Sequence, residues 1–392
     1  MNDPVVIVGI ARTPMGGMQG SLSAVTAPAL GAQAIKGALA DAGLEPEAVD
    51  EVLMGCVLPA GLKQAPARQA ALGAGIPKHV PTTTVNKVCG SGMKTVMMGH
   101  DAILAGSADV VVAGGMESMS NAPYMLQKAR SGFRMGHGEI YDHMFLDGLQ
   151  DAYTGGPMGS FGEVCADKYS FSREKQDEYA IESLARANAA IEAGNFKREI
   201  TPMTISTRKG EVTVDTDEQP GNARPDKIPA LKPAFKKDGT ITAANASSIS
   251  DGAAALVLMR QSEAEKRGVK VLAVIRAHAQ NAQEPEWFTT APVGAMQKTL
   301  EKSGWTADDV DLWEVNEAFA VVTMAAMEEL KIPHNKINVH GGACALGHPL
   351  GASGARIMVT LLAALETHGK TKGVASLCIG GGEATSIAIE RV

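Results

Sequence analysis

Aromatic side chains are scarce: Phe, Trp and Tyr make up 4% of 392 residues, against 45% hydrophobic residues in all. That argues against an aromatic-rich β-sandwich, and the abundance of Ala, Gly and Val suits helices packed tightly on a sheet. Cysteine is sparse. Cys56, Cys89, Cys165, Cys344 and Cys378 form no regular disulfide pattern, which fits a reducing, cytoplasmic setting. Basic charge is not in excess, and a formal net charge of -7 gives no reason to expect nucleic acid, although a local basic patch could hold phosphates. No apolar run approaches the roughly 20 residues that span a bilayer. The opening Pro4-Val5-Val6-Ile7-Val8-Gly9 reads as a strand and lacks the charged region of a secretory leader. A soluble cytoplasmic protein is expected, with neither nucleic acid nor membrane as partner.

What the sequence does have is a repeat. Ala34-Ile35-Lys36-Gly37-Ala38-Leu39-Ala40-Asp41-Ala42-Gly43, ending in Val49-Asp50, resembles Ala295 to Gly304, ending in Val310-Asp311. The offset of about 260 residues is too large for a solenoid period and right for a duplicated half. The same offset pairs Ser91-Gly92 with Ser353-Gly354, and a slightly larger one pairs Gly114-Gly115-Met116-Glu117 with Gly380-Gly381-Gly382-Glu383. Each half alternates strand and helix, which predicts an α/β fold with a mostly parallel sheet covered by helices. After Glu383 the chain runs straight into a closing strand. After Glu117 the comparable strand, Ala253 to Met259, is delayed by a segment rich in Gly, Pro, Met and charge, holding an amphipathic helix from about Arg173 to Ala193. The expected organisation is a first half of residues 1–117 plus 251–270, an inserted loop domain of 118–250 over one face, and a second half of 271–392.

Three chemical groups stand beside glycines. Val88-Cys89-Gly90-Ser91-Gly92 places a thiol at a probable helix start, where the dipole and free N–H groups favour thiolate. Gly347-His348-Pro349 presents an imidazole in a turn, and Cys378 precedes Gly380-Gly381-Gly382. Asn316 ends a strand of the second half and could equally cap the following helix. Two thiols and a histidine suggest acyl-thioester chemistry. The spacing His340-x3-Cys344-x3-His348 admits a zinc reading with Cys378 as fourth ligand, but Gly341, Gly342, Gly347 and Pro349 make this a poor helix, so no metal is expected.

These residues carry a resemblance. Asn86-Lys87-Val88-Cys89-Gly90-Ser91-Gly92, Gly114 to Ser120, Asn316-Glu317-Ala318-Phe319-Ala320, Gly347-His348-Pro349-Leu350-Gly351 and Cys378-Ile379-Gly380-Gly381-Gly382, in order along the whole chain, resemble the thiolases, in particular those acting as acetyl-CoA C-acetyltransferases. The resemblance implies a layered α/β/α/β/α core. Cys89, helped by His348, would be acylated by acyl-CoA, and Cys378 would deprotonate a second acetyl-CoA for a Claisen condensation to acetoacetyl-CoA and CoA, or thiolysis in reverse. His348 and an Asn316-held water would serve the enolate, and the N–H groups of Cys89 and Gly380 the tetrahedral intermediate. Ser247, Phe235, Phe319 and Met158 would line the pantetheine channel, with Arg224 at the nucleotide end. No permanent cofactor is implied: coenzyme A and acyl-CoA are substrates, and the assembly would be a homodimer or homotetramer. Two departures stand out. Pro157-Met158-Gly159 replaces a common His-Met-Gly, and His340 replaces a usual Asn. The first leaves open a broad 3-ketoacyl-CoA thiolase of fatty-acid metabolism. A malonyl-dependent ketoacyl synthase and a non-catalytic acyl-CoA carrier are the further alternatives.

Overall fold

The computed structural model describes residues 3–208 and 210–392. In the first half, strand β1 (Val5–Arg12) leads to helix α1 (Ala27–Ala42), β2 (Glu51–Gly55), α2 (Pro66–Gly73), β3 (Thr82–Val85), α3 (Ser91–Ala105) and β4 (Val110–Ser118). The insertion holds α4 (Gly159–Tyr169) and α5 (Arg173–Ala193), the latter over the span its sequence pattern predicts. Strand β5 (Ser250–Arg260) closes the first half. The second half repeats the order as β6 (Ala273–Ala282), α6 (Ala291–Ser303), β7 (Leu312–Val315), α7 (Ala320–Leu330), α8 (Leu350–Thr367), β8 (Lys372–Ile379) and β9 (Glu383–Arg391).

The strands form one sheet in the order β7-β8-β9-β6-β1-β5-β4-β2-β3. The two halves meet where β1 pairs with β6 through Val6–Val274 and Ile7–Ala273. The expected mostly parallel sheet is corrected to a mixed one: β2–β3, β2–β4 and β7–β8 are parallel, while β1, β5, β6 and β9 pair antiparallel with their neighbours. The reason lies in the closing strand of each half, which turns back beside its predecessor instead of crossing over through a helix. Helices α1 and α2 cover the outer face of the first half, α6 and α7 that of the second, and α3 with α8 lies between. This is the layered α/β/α/β/α arrangement.

The sequence repeat has a physical counterpart at each end of the halves. Asp50 accepts hydrogen bonds from the N–H groups of Asp109 and Val110. Asp311 accepts the equivalent pair from Thr371 and Lys372. Each carboxylate therefore pins the next strand of its own half. The paired Ser-Gly helix starts serve packing: a Cβ on Gly354 would lie 2.3 Å from Met93 N, and one on Gly92 would lie 2.8 Å from Ala355 N. Those glycines let α3 and α8 cross in backbone contact, and they do not approach a ligand. Helix α8 is also long and apolar enough to cross a membrane by length and composition, but 89% of it is buried, because it is packed on all sides by sheet and α3.

The insertion is tied to the sheet by a buried cluster. Arg12 reaches Asp217 at 2.7 and 2.8 Å and also bonds Glu199. An apolar arm remains exposed, with Tyr124 at 67%, Met135 at 97% and Ile140 at 64%.

Candidate active site

Cys89 follows a residue in an unusual conformation. Val88 has a φ of 45°, left-handed backbone that a β-branched side chain adopts only when its surroundings force it. Here Asn86 Oδ1 accepts from Val88 N at 2.9 Å, and Ser91 Oγ donates to Val88 O at 2.6 Å. The turn sets Cys89 just ahead of α3, at one wall of a small cavity. Burial pushes its thiol up to about 11, against opposing donation from the Gly380 N–H and its own N–H. The helix start therefore does not make a resting thiolate, contrary to the sequence expectation: desolvation outweighs the donors.

His348 is turned inward and buried, not presented outward as its glycine-rich turn suggests. Its Nδ1 lies 2.5 Å from Ser353 Oγ, and that hydroxyl donates onward to Pro349 O at 2.9 Å. A Ser353 hydroxyl that donates to Pro349 O accepts from Nδ1–H, and that tautomer leaves Nε2 as the free base. Nε2 is buried without a protein partner, as is Asn316 Oδ1, and the Asn316 amide nitrogen is 3.5 Å from Nδ1. Burial, aided by the Arg356 charge, holds the imidazolium down to about 3, so the ring is neutral at physiological pH.

Cys89, His348, Gly380, Met158, Ser247 and Phe319 line this one cavity of about 60 Å³, together with Val88, Leu149, Phe288 and Leu350. Cys378 is fully buried at the end of β8. Burial, and then the neighbouring Cys89, raises its thiol well above the usual range. A second cavity of about 340 Å³ opens beside the first and is lined by Arg224, Lys227, Leu231, Ala243, Ser248 and Cys344. Ser247 and Ser248 are consecutive and face different cavities. Arg224 thus belongs to the larger space. Phe235 lines neither as a wall residue: its ring packs edge-on to Phe319 at 6.0 Å, backing the smaller cavity. The three residues of the zinc spacing go separate ways, with His340 Nε2 3.2 Å from His368 Nε2 and Cys344 Sγ 3.8 Å from Glu317 O.

A thiol, an unpartnered imidazole nitrogen and a glycine backbone lining one pocket, with a second thiol buried beside the first, are an acyl-transfer constellation. The family model for the thiolase N-terminal domain matches residues 5–262, and that for the thiolase C-terminal domain matches residues 269–391. The chain belongs to the thiolase family. Among its relatives, Acetyl-CoA acetyltransferase 2 of Arabidopsis thaliana is 53% identical over 98% of this chain and 96% of its own. Acetyl-CoA acetyltransferase of Chromobacterium violaceum is 49% identical over 99% of each. Among solved structures, Acat5 thiolase from Ascaris suum in complex with coenzyme A superposes with a TM-score of 0.94, at 43% identity, covering 99% of this chain and 100% of that one.

Sequence reasoning missed two residues that organise this thiolase's site. Ser353 holds His348 Nδ1 at 2.5 Å, yet in sequence it reads only as a helix start. Glu117 stands out there merely as a repeat marker. In the structure its buried carboxylate accepts from Val57 N, Leu58 N and Gly351 N at 2.9, 3.1 and 2.8 Å, joining segments of both halves behind the cavity. Burial raises Glu117 to about 7, against those donors. The available clue was an acid at the end of an otherwise apolar strand.

Proposed function

We propose that this thiolase is an acetyl-CoA C-acetyltransferase, with Cys89 as nucleophile, His348 and Cys378 as proton carriers, and acetyl-CoA, acetoacetyl-CoA and CoA as substrates and products. The observation that carries the assignment is the unpartnered His348 Nε2 in the cavity that Cys89 lines. In the first step Cys89 sulfur bonds the thioester carbon while its proton passes to His348 Nε2. The C–S bond to CoA then breaks, and that proton leaves with the CoA thiol. The N–H groups of Gly380 and Cys89, which already oppose the high thiol value, donate to negative charge as it forms. In the second step Cys378 passes its proton to the once more neutral His348 and, as thiolate, takes a methyl proton from a second acetyl-CoA. The carbanion bonds the acyl carbon on Cys89, whose departing sulfur takes the proton back from His348, and Asn316 assists at the enolate oxygen.

In this reading coenzyme A runs from the larger cavity, with Arg224 toward the nucleotide, into the smaller one, with Ser247 and Met158 toward the thioester. No other cofactor enters the mechanism. A space of about 60 Å³ at Cys89, small beside the neighbouring cavity of about 340 Å³, favours acetyl over medium acyl chains. The broad 3-ketoacyl-CoA thiolase reading draws on Pro157 in place of histidine. Thiolysis rates across 3-ketoacyl-CoA chain lengths separate the two. Acetoacetyl-CoA should exceed a six- or eight-carbon substrate by at least about tenfold, whereas level rates would favour the broad enzyme. Five free thiols support work in a reducing cytoplasm. The exposed apolar arm, with the open edge of β3, supports a homo-oligomer, either dimer or tetramer.

A further inference from the structure

Away from the cavity, three side chains converge where the two halves touch. His100 and Asp101 lie on α3 and His278 on β6. His100 Nδ1 is 3.0 Å from Asp101 Oδ1, His278 Nε2 is 2.9 Å from the same oxygen, and the two nitrogens are 3.2 Å apart. His100 is 7% exposed, so its ring is fixed by packing, and the two imidazoles meet edge to face at 4.9 Å. The Asp101 side chain is 58% exposed, which leaves one side open to solvent.

We propose that His100, Asp101 and His278 form a divalent-cation site, with zinc the best-matched ion. An ion with bonds of about 2.0–2.1 Å sets its ligand atoms ~3.3 Å apart when tetrahedral and ~2.9 Å apart when octahedral. The three measured spacings fall on that range. Two imidazoles and one carboxylate are a donor set that suits zinc, with the fourth position left to water. Lys302 Nζ donates to the His278 carbonyl at 3.1 Å and is engaged there. The ion would tie the central helix of the first half to the leading strand of the second. His100 is nine residues past Ser91 on α3, about 14 Å along the helix, so the role is structural and separate from acyl transfer.

Equilibrium dialysis of the full-length protein against Zn2+ alone tests this, with H278Q and D101N beside wild type. Wild type should hold one more Zn2+ than H278Q, and D101N, altered at an exposed side chain, should bind at least about tenfold more weakly. Zn2+ should raise the thermal midpoint of wild type but not of H278Q, while thiolysis rates stay level. Equal stoichiometry in wild type and both variants would overturn the site, as would wild type that binds no Zn2+. Thiols elsewhere bind equally in all three proteins and cancel in the comparison.

Discussion

Cys89 and His348 rest as a neutral pair: a thiol pushed up to about 11 and an imidazole whose conjugate acid is held down to about 3. The proton therefore moves during the reaction and not before it. Alkylation of Cys89 by iodoacetamide, without substrate, should keep accelerating from pH 7 to 10, because the thiolate fraction grows toward a value near 11. A plateau by pH 8 would mean a resting ion pair. Cys89→Ala should lose the acyl adduct and turnover together. Cys378→Ala should keep the adduct but lose condensation by on the order of a hundredfold or more, read by trapping labelled acetyl on the protein. At this scale the sequence was informative about identity and poor on state. Cys89, His348 and Gly380 could be picked out by their glycine neighbours, but the protonation of Cys89 and His348 depends on burial, which adjacent residues do not report. Glu117 was missed because its partners Val57, Leu58 and Gly351 lie far along the chain, and Ser353 because a helix-start serine does not show in sequence that its hydroxyl faces His348.

At the scale of elements, the repeat was the most legible feature, since Asp50 and Asp311 fill one role twice. The direction of pairing was not. Alternation of strand and helix says nothing about whether a closing strand turns back beside its predecessor, and that single choice makes the sheet mixed. The glycines of Ser91-Gly92 and Ser353-Gly354 read in sequence only as a repeated pair, and the structure uses them for a helix crossing. Gly354→Ala should accordingly lower stability by about 1–3 kcal/mol, because its Cβ would meet backbone at 2.3 Å. Gly221, with nothing within 4 Å of an added Cβ, serves as the control, and its change to Ala should stay within ~0.5 kcal/mol. Urea unfolding of both variants decides this, and equal midpoints would contradict the crossing.

At the scale of the molecule, the two halves carry the proposed catalytic groups and the insertion roofs them. Composition revealed that the insertion differed from its surroundings, but not that part of it stands free. Tyr124, Leu126, Met135 and Ile140 are at least half exposed, at 67, 50, 97 and 64%, which is costly for a lone chain. Light scattering should give a multiple of 40.7 kDa, reduced by M135E with I140E, and a wild-type monomer would refute the oligomer. Acyl transfer through Cys89 remains the central claim, and intact mass after incubation with acetyl-CoA tests it most directly. One acetyl group should appear on wild type, map to Cys89 and disappear when CoA is added. No adduct, or one that persists in Cys89→Ala, would contradict the account and leave a chain that binds acyl-CoA without turning it over.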